Sequence, residues 1–126
     1  MTREAFEEHI LKLYGISADY PFEEDLITGV FRHKDNKKWF ALVMNIPATR
    51  LGLDLREKID VANLKCPPEV IESIIAEGIG VYPAYHMNKL HWISVLLGEC
   101  DDETILWLLD ISYTLTAANK TKRYKK

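Results

Sequence analysis

The run "WFALVM", residues 39–44, is apolar at every position. A strand with one wet face alternates polar and apolar residues, so a strand apolar on both faces belongs in the middle of a covered sheet. β-Branched and aromatic residues on either side of "KDN" read as a hairpin with strands near 28–33 and 38–44. Strict alternation places Phe40, Leu42 and Met44 on one face of the second strand and Trp39, Ala41 and Val43 on the other.

Helical patterns bracket this hairpin. Phe6, Ile10 and Leu13 recur at helical spacing after Thr2, a candidate N-cap, and before Gly15, a stop signal, predicting a helix over 2–14. The stretch "ISADYPFEEDLITG" is a connection, because Tyr-Pro disfavours helix. Residues 45–60 show no clean period and read as a long excursion, after which "VANLKC" is a short strand. Ala62, Leu64 and Cys66 then share one face, while Asn63 and Lys65 project from the other. "PPEVIESIIAEG" opens on prolines and closes on glycine, predicting a helix over 67–77 with Val70, Ile71, Ile74 and Ile75 as its buried stripe. "HWISVLL" reads as a strand with Ile93, Val95 and Leu97 inward, and an acidic turn leads to a helix over 102–118. Ile105, Leu108, Leu109, Ser112 and Leu115 give that helix a wide apolar arc, making it the best buried.

At 126 residues and 48% hydrophobic composition, the chain suits one domain, taken as residues 1–118, with 119–126 ("NKTKRYKK") as a basic, disordered tail. No secretory leader is read, and no apolar run approaches the roughly 18 residues of a membrane span. The expectation is a soluble, cytoplasmic protein with no membrane partner. Cys66 and Cys100 have no CxxC companion and read as reduced, buried thiols. The net charge of −3 is unevenly spread: residues 1–27 carry two basic and seven acidic side chains, 28–65 eight and four, 66–118 one and eight, and the tail five and none. Phosphate neutralisation supplies most non-specific nucleic-acid affinity. A body of −8 without its tail therefore needs a local basic surface to bind DNA.

The segment "VYPAYHMNKLHW", residues 81–92, gathers the chain's densest mixture of hydrogen-bonding, cationic and stacking groups: Tyr82, Tyr85, His86, Asn88, Lys89, His91 and Trp92. His86 and His91 stand five apart, which puts them on opposite faces of a strand and about 140° apart on a helix, so no metal site is expected. Cys66 opens a helix but lacks a base nearby, no serine sits in a glycine-flanked elbow, and "GIG" at 78–80 follows a helix where a phosphate loop would precede one. Catalytic residues and cofactors are accordingly not expected. Lysine, amide and aromatic groups together are what nucleic-acid edges use, although a Tyr-His-Asn group beside proline also ties down loops through backbone bonds.

"VANLKCPPEVIESI", then "VYPAYHMNKLHWISVLL", then an acidic turn into "ILWLLDISYTLT" resemble the MmcQ/YjbR family of small bacterial proteins, and "YPFEED" with "KKWFALVM" resembles its N-terminal half. Asn63-Leu64-Lys65-Cys66, Tyr85-His86-Met87-Asn88-Lys89 and His91-Trp92 are the most specific pieces. The resemblance implies an α+β domain, CyaY-like or double-wing, with helices packed against an antiparallel sheet. It also implies a DNA-binding label with no assigned reaction. Two features depart from the family pattern: Leu90 stands where many members carry a second basic residue, and residues 45–60 are longer than in compact members.

Asn63, Lys65, Tyr85, His86, Asn88, Lys89, His91 and Trp92 are the candidate binding residues. The leading reading is a small non-enzymatic binding module, with nucleic acid as a weak, salt-sensitive partner met by these residues and the basic hairpin. The alternatives are a protein-interaction or regulatory domain with acidic helices, a ligand-binding protein or enzyme with His86 and Asp25 near a pocket, and metal handling by fold analogy with frataxin-like proteins. For the binding reading, Asn63 and Lys65 should approach Asn88 and Lys89 in one polar patch.

Overall fold

A computed structural model describes residues 1–22, 24–25 and 27–118. The expected tail, 119–126, lies outside the described residues. Helix α1 (Arg3–Tyr14) leads to β1 (Gly29–Arg32), β2 (Trp39–Pro47), β3 (Lys58–Lys65), α2 (Pro68–Ala76), β4 (Val81–Pro83), β5 (Trp92–Leu96) and α3 (Asp102–Thr116). The strands form one antiparallel sheet in the order β1-β2-β3-β5-β4. The expected α+β class is what the chain adopts.

Local signals set the helix ends as the sequence indicates. The Thr2 hydroxyl accepts the Ala5 amide, Gly15 takes the left-handed conformation that its φ of 71° requires, and Asp101 caps α3 through the Thr104 amide. All three helices pack on one face of the sheet, where Phe6, Ile10, Ile71, Ile74, Ile105, Leu108 and Leu109 meet Phe31, Ala41, Val43, Leu64, Ile93 and Val95. Leu13, expected in this stripe, is exposed, and Tyr14 turns inward in its place to stack on Tyr113 with ring centroids 3.8 Å apart. In α3, Leu115 is likewise exposed and Thr116 is buried, because the β1–β2 turn reaches that end: His33 Nε2 lies 2.9 Å from the Thr116 hydroxyl and Asn36 donates to the Thr116 carbonyl.

Two further expectations are corrected, and one strand had not been expected. Phe40 does not share a face with Leu42 and Met44. Arg32 pairs with Trp39 and Phe31 with Ala41, which leaves Phe40 as the extra residue of a bulge. The slip turns Phe40 into the helix-side core with Ala41 and Val43, and turns Trp39 to the other face with Leu42 and Met44. Residues 45–60 are no loose excursion: β2 runs on to Pro47, a 3-10 turn spans Ala48–Leu51, and β3 begins at Lys58, with Ile46 opposite Ile59. β4 has only three residues and ends on proline, so it gave no periodic signal; proline is tolerated because the strand is at the edge.

The bulge explains a buried serine in an otherwise apolar arc. β2–β3 pairing stops at Ala41 opposite Leu64, leaving the Phe40 carbonyl and the Lys65 amide without ladder partners. Ser112 of α3 serves both, its hydroxyl donating to Phe40 O and accepting from Lys65 N at 2.8 Å. An unsatisfied buried backbone group costs about 1–3 kcal/mol. Ser112→Ala is therefore expected to lower stability by about 2–4 kcal/mol in urea unfolding, and a change below about 0.5 kcal/mol, the range of neutral surface substitutions, would contradict this role.

Candidate functional site

None of the three helices of the described residues lies on the second face of the sheet. Its apolar residues Val30, Leu42, Met44, Ile46, Val61 and Leu96 are covered instead by connections and by large side chains, among them Trp39, Leu53, Tyr82, Tyr85, Met87 and Trp92. Register places Val30, Leu42, Asn63, Ser94 and Tyr82 directly opposite one another in a row across all five strands. The two polar members of that row are fully buried. Ser94 donates to Asn63 Oδ1 at 2.6 Å, Asn63 Nδ2 donates to the Tyr85 carbonyl at 2.9 Å, and the Tyr85 amide donates to Ser94 Oγ at 2.8 Å. The pair thus reads Tyr85 as a strand neighbour would, and bolts the 84–91 loop over the open face.

Between this loop and the connection before β1 lies a groove of about 590 Å³. Leu42, Met44 and Ile46 of β2 form its floor; Trp39 and Phe22 stand at one side, in edge-to-face contact with centroids 6.2 Å apart. Opposite are Tyr85, His86 and Met87. His86 has a positive φ of 58°, a conformation uncommon outside glycine though less so for histidine, and its ring lies 4.0 Å from that of Tyr85. Asp25 also lines the groove, but its carboxylate is engaged: it accepts the Thr28 hydroxyl and the amides of Ile27 and Thr28. These bonds, the Thr28 hydroxyl foremost, hold its carboxyl below the usual range, with Arg3 adding a smaller pull.

The candidate residues separate into three roles. Asn63 is a buried brace and presents nothing to solvent. Tyr85 and His86 are groove wall. Lys65 stands opposite Trp92 at one end of the sheet, and the turn that enters β5 lies at the same end: the Asn88 carbonyl accepts the amides of His91 and Trp92, its side chain accepts the Leu90 amide, and Lys89 is exposed at the tip. The Cys66 amide donates to the His91 carbonyl, tying this turn to the entry of α2. Lys65, Asn88 and Lys89 therefore share one end of the domain, with Asn63 beneath the loop. Lys38, just before β2, is at that end too, whereas Arg32 is held by Asp19 in two bonds of 2.8 and 2.9 Å.

Phe22, Thr28, Trp39, Leu42, Met44, Asn45, Ile46 and Met87 line the groove without having been read as site residues from the sequence. Only Asp25 and Thr28 carried a readable signal, an acid three residues before a threonine, the spacing of a local side-chain turn. Trp39 was hidden by the bulge. Cys66 and Cys100 are free and buried; burial pushes both thiols up to about 11, helped by Glu69 and Asp101 respectively, so neither is a thiolate at neutral pH. Among the described residues no group of three or more His, Cys, Asp or Glu side chains is placed to hold a metal ion, and no helix is long and apolar enough to cross a membrane.

Helices on one face of a five-stranded antiparallel sheet and a loop-walled groove on the other define the class, a small α+β domain. The chain belongs to the YjbR family, whose sequence model matches residues 11–115. It is 43% identical to the uncharacterized protein YyaQ of Bacillus subtilis over 92% of this chain and 98% of that protein. A Pseudomonas syringae crystal structure superposes with a TM-score of 0.89 at 42% identity, covering 93% of this chain and all (100%) of that one. The Deinococcus radiodurans protein DR2400 gives 0.70 at 26% identity over 98% and 86% of the two chains.

Two outcomes test this geometry. Asn63→Ala strands the Tyr85 carbonyl and the Ser94 hydroxyl, and should cost about 2–4 kcal/mol and speed amide exchange at Tyr85; Lys89→Ala should stay within about 0.5 kcal/mol of wild type. Equal stability of the two variants would refute the brace. For Asp25, a folded carboxyl below the unfolded value of about 3.9 gives stability that is complete above that pH and lost as pH falls through the lower folded value. Asp25→Asn should flatten the acid limb of a stability-against-pH curve, and an unaltered limb would mean that the Thr28 bonds contribute nothing.

Proposed function

We propose that this protein is a non-enzymatic nucleic-acid-binding module that meets the phosphate backbone with Lys38, Lys65 and Lys89. The observation that carries the reading is the convergence of these lysines at one end of the sheet, beside the aromatic wall of the groove. None of the three takes part in an ion pair among the described residues, so each is available to a phosphate.

Part of the acidic charge lies away from this placement. Glu99, Asp101, Asp102 and Glu103 follow β5 and open α3 at the other end of the strands, where the terminal amine lies 3.1 Å from Asp102. The five residues of β5, which runs between the two ends, span about 17 Å, about twice the screening length of about 8 Å in physiological salt. The acids of that far end are thus largely screened from the lysines, while Asp35 and Glu69 lie at the lysine end and reduce its positive field. A binding role also suits the groove: Asp25, the carboxylate among its described lining residues, is committed to its own turn, and the two thiols, in the helix-side core, are protonated. Free, buried cysteines fit a reducing, cytoplasmic setting.

The test separates folded surface from tail. Binding of a labelled oligonucleotide by fluorescence anisotropy at several salt concentrations should show each neutralised phosphate as a slope of about −0.7 to −0.9 in log K against log salt. Replacing both Lys65 and Lys89 by alanine should make the slope shallower by nearly two such increments, and deleting 119–126 should remove only a salt-labile, sequence-independent component. If the double variant matches wild type and the deletion abolishes binding, the folded surface is not a nucleic-acid interface.

A further inference from the structure

We propose that the groove on the open face of the sheet receives one unpaired nucleobase, so that the nucleic acid preferred is single-stranded. This deepens the reading above and rests on it. The occupant follows from the chemistry of the two adjoining surfaces. A ligand spanning both must be planar and largely apolar over the groove and anionic at its Trp39 end, where Lys38 and Lys65 lie. A nucleotide within a strand has this combination, with the base separated from its phosphate by one sugar.

The groove is suited to a base in size and lining. At about 590 Å³ it falls within the range of small-molecule sites. Its floor is aliphatic, and its walls present an indole and a tyrosine–histidine pair as stacking surfaces. Both walls are fixed before any ligand arrives, since Phe22 buttresses Trp39 edge-on and the Asn63–Ser94 brace holds Tyr85. Preorganised stacking surfaces avoid the ordering cost that weakens flexible sites. A base inside a duplex is paired and stacked on both sides, and bringing it into a groove bounded by two loops requires unpairing and unstacking, whereas in a single strand this cost is smallest.

The test uses the full chain and three probes of equal length: an oligothymidylate, the same sugar–phosphate chain without bases, and a duplex. The abasic strand keeps every phosphate, so the lysines respond to it and the groove does not. Stacking of one base corresponds to about tenfold in affinity. Wild type should bind oligothymidylate about tenfold tighter than the abasic strand and tighter than the duplex. Phe22→Ala, at an exposed groove residue in edge contact with Trp39, should erase that preference while retaining affinity for the abasic strand, and His86→Ala, at an exposed lip residue, should reduce it. Lys65→Ala with Lys89→Ala should weaken both single strands alike. Equal affinity for base-bearing and abasic strands, or a preference for duplex, overturns the groove assignment and leaves the lysine surface standing. Absence of binding to all three probes overturns the nucleic-acid reading itself.

Discussion

A sheet with two apolar faces must be covered twice, and the helices of the described residues all lie on one side. The whole architecture turns on how the other side is closed. Loops cover sheets poorly because their backbone amides and carbonyls need partners that an apolar surface does not offer. Here the sheet provides them, through Asn63 and Ser94 in the middle of the open face, which bond to each other and to both backbone groups of Tyr85. A pair of aliphatic residues at those positions would bury more apolar area but would leave both backbone groups of Tyr85 without these partners. The polar pair converts a loop into a fixed wall, and the groove exists because that wall stops short of the opposite connection.

The bulge at Phe40 acts on the same groove from the other side. With regular pairing, Trp39 would face the helices, where the core is already filled by Phe31, Tyr14 and Tyr113 around Phe40. One extra residue sends Phe40 inward and the indole outward, and the backbone groups released by the slip are recovered by Ser112. A fold-level event in β2 thus sets a chemical property of the open face. It joins α3, through a single hydroxyl, to the position of a groove-lining tryptophan.

These two devices also mark where the sequence was readable and where it was not. Helix positions, their caps and the antiparallel class were legible because capping residues and 3.6-residue periodicity act locally. The alternation rule failed at Phe40 because a bulge is decided by partners on β1 and α3 that are distant in sequence. Residues 45–60 lacked a period because both faces of that hairpin are partly covered, one of them by its own 3-10 turn and by Leu51 and Leu53. At the site, the motifs of the family resemblance pointed to the right segments and mixed their roles. Asn63 and Lys65 stand two apart on one face, yet one is fully buried and the other lies at the end of its strand. Sequence spacing gives the face of a strand; how far along the strand a loop crosses decides which of its side chains sees water.

The lysine end gains a further property from the way α3 terminates there. A helix C-terminus carries unpaired carbonyls and a partial negative charge, which would weaken the field of neighbouring lysines. In this fold the β1–β2 turn takes up those carbonyls, with Asn36 donating to Thr116 O and His33 lying 3.1 Å from Tyr113 O. The same end receives the start of α2, the positive pole of that helix, directly after Lys65. The hairpin that brings Lys38 to the mouth of the groove therefore also quiets the nearest opposing dipole. The charge separation of the molecule, acidic where α3 begins and basic where it ends, is in this way written into the strand connections and does not depend on the tail.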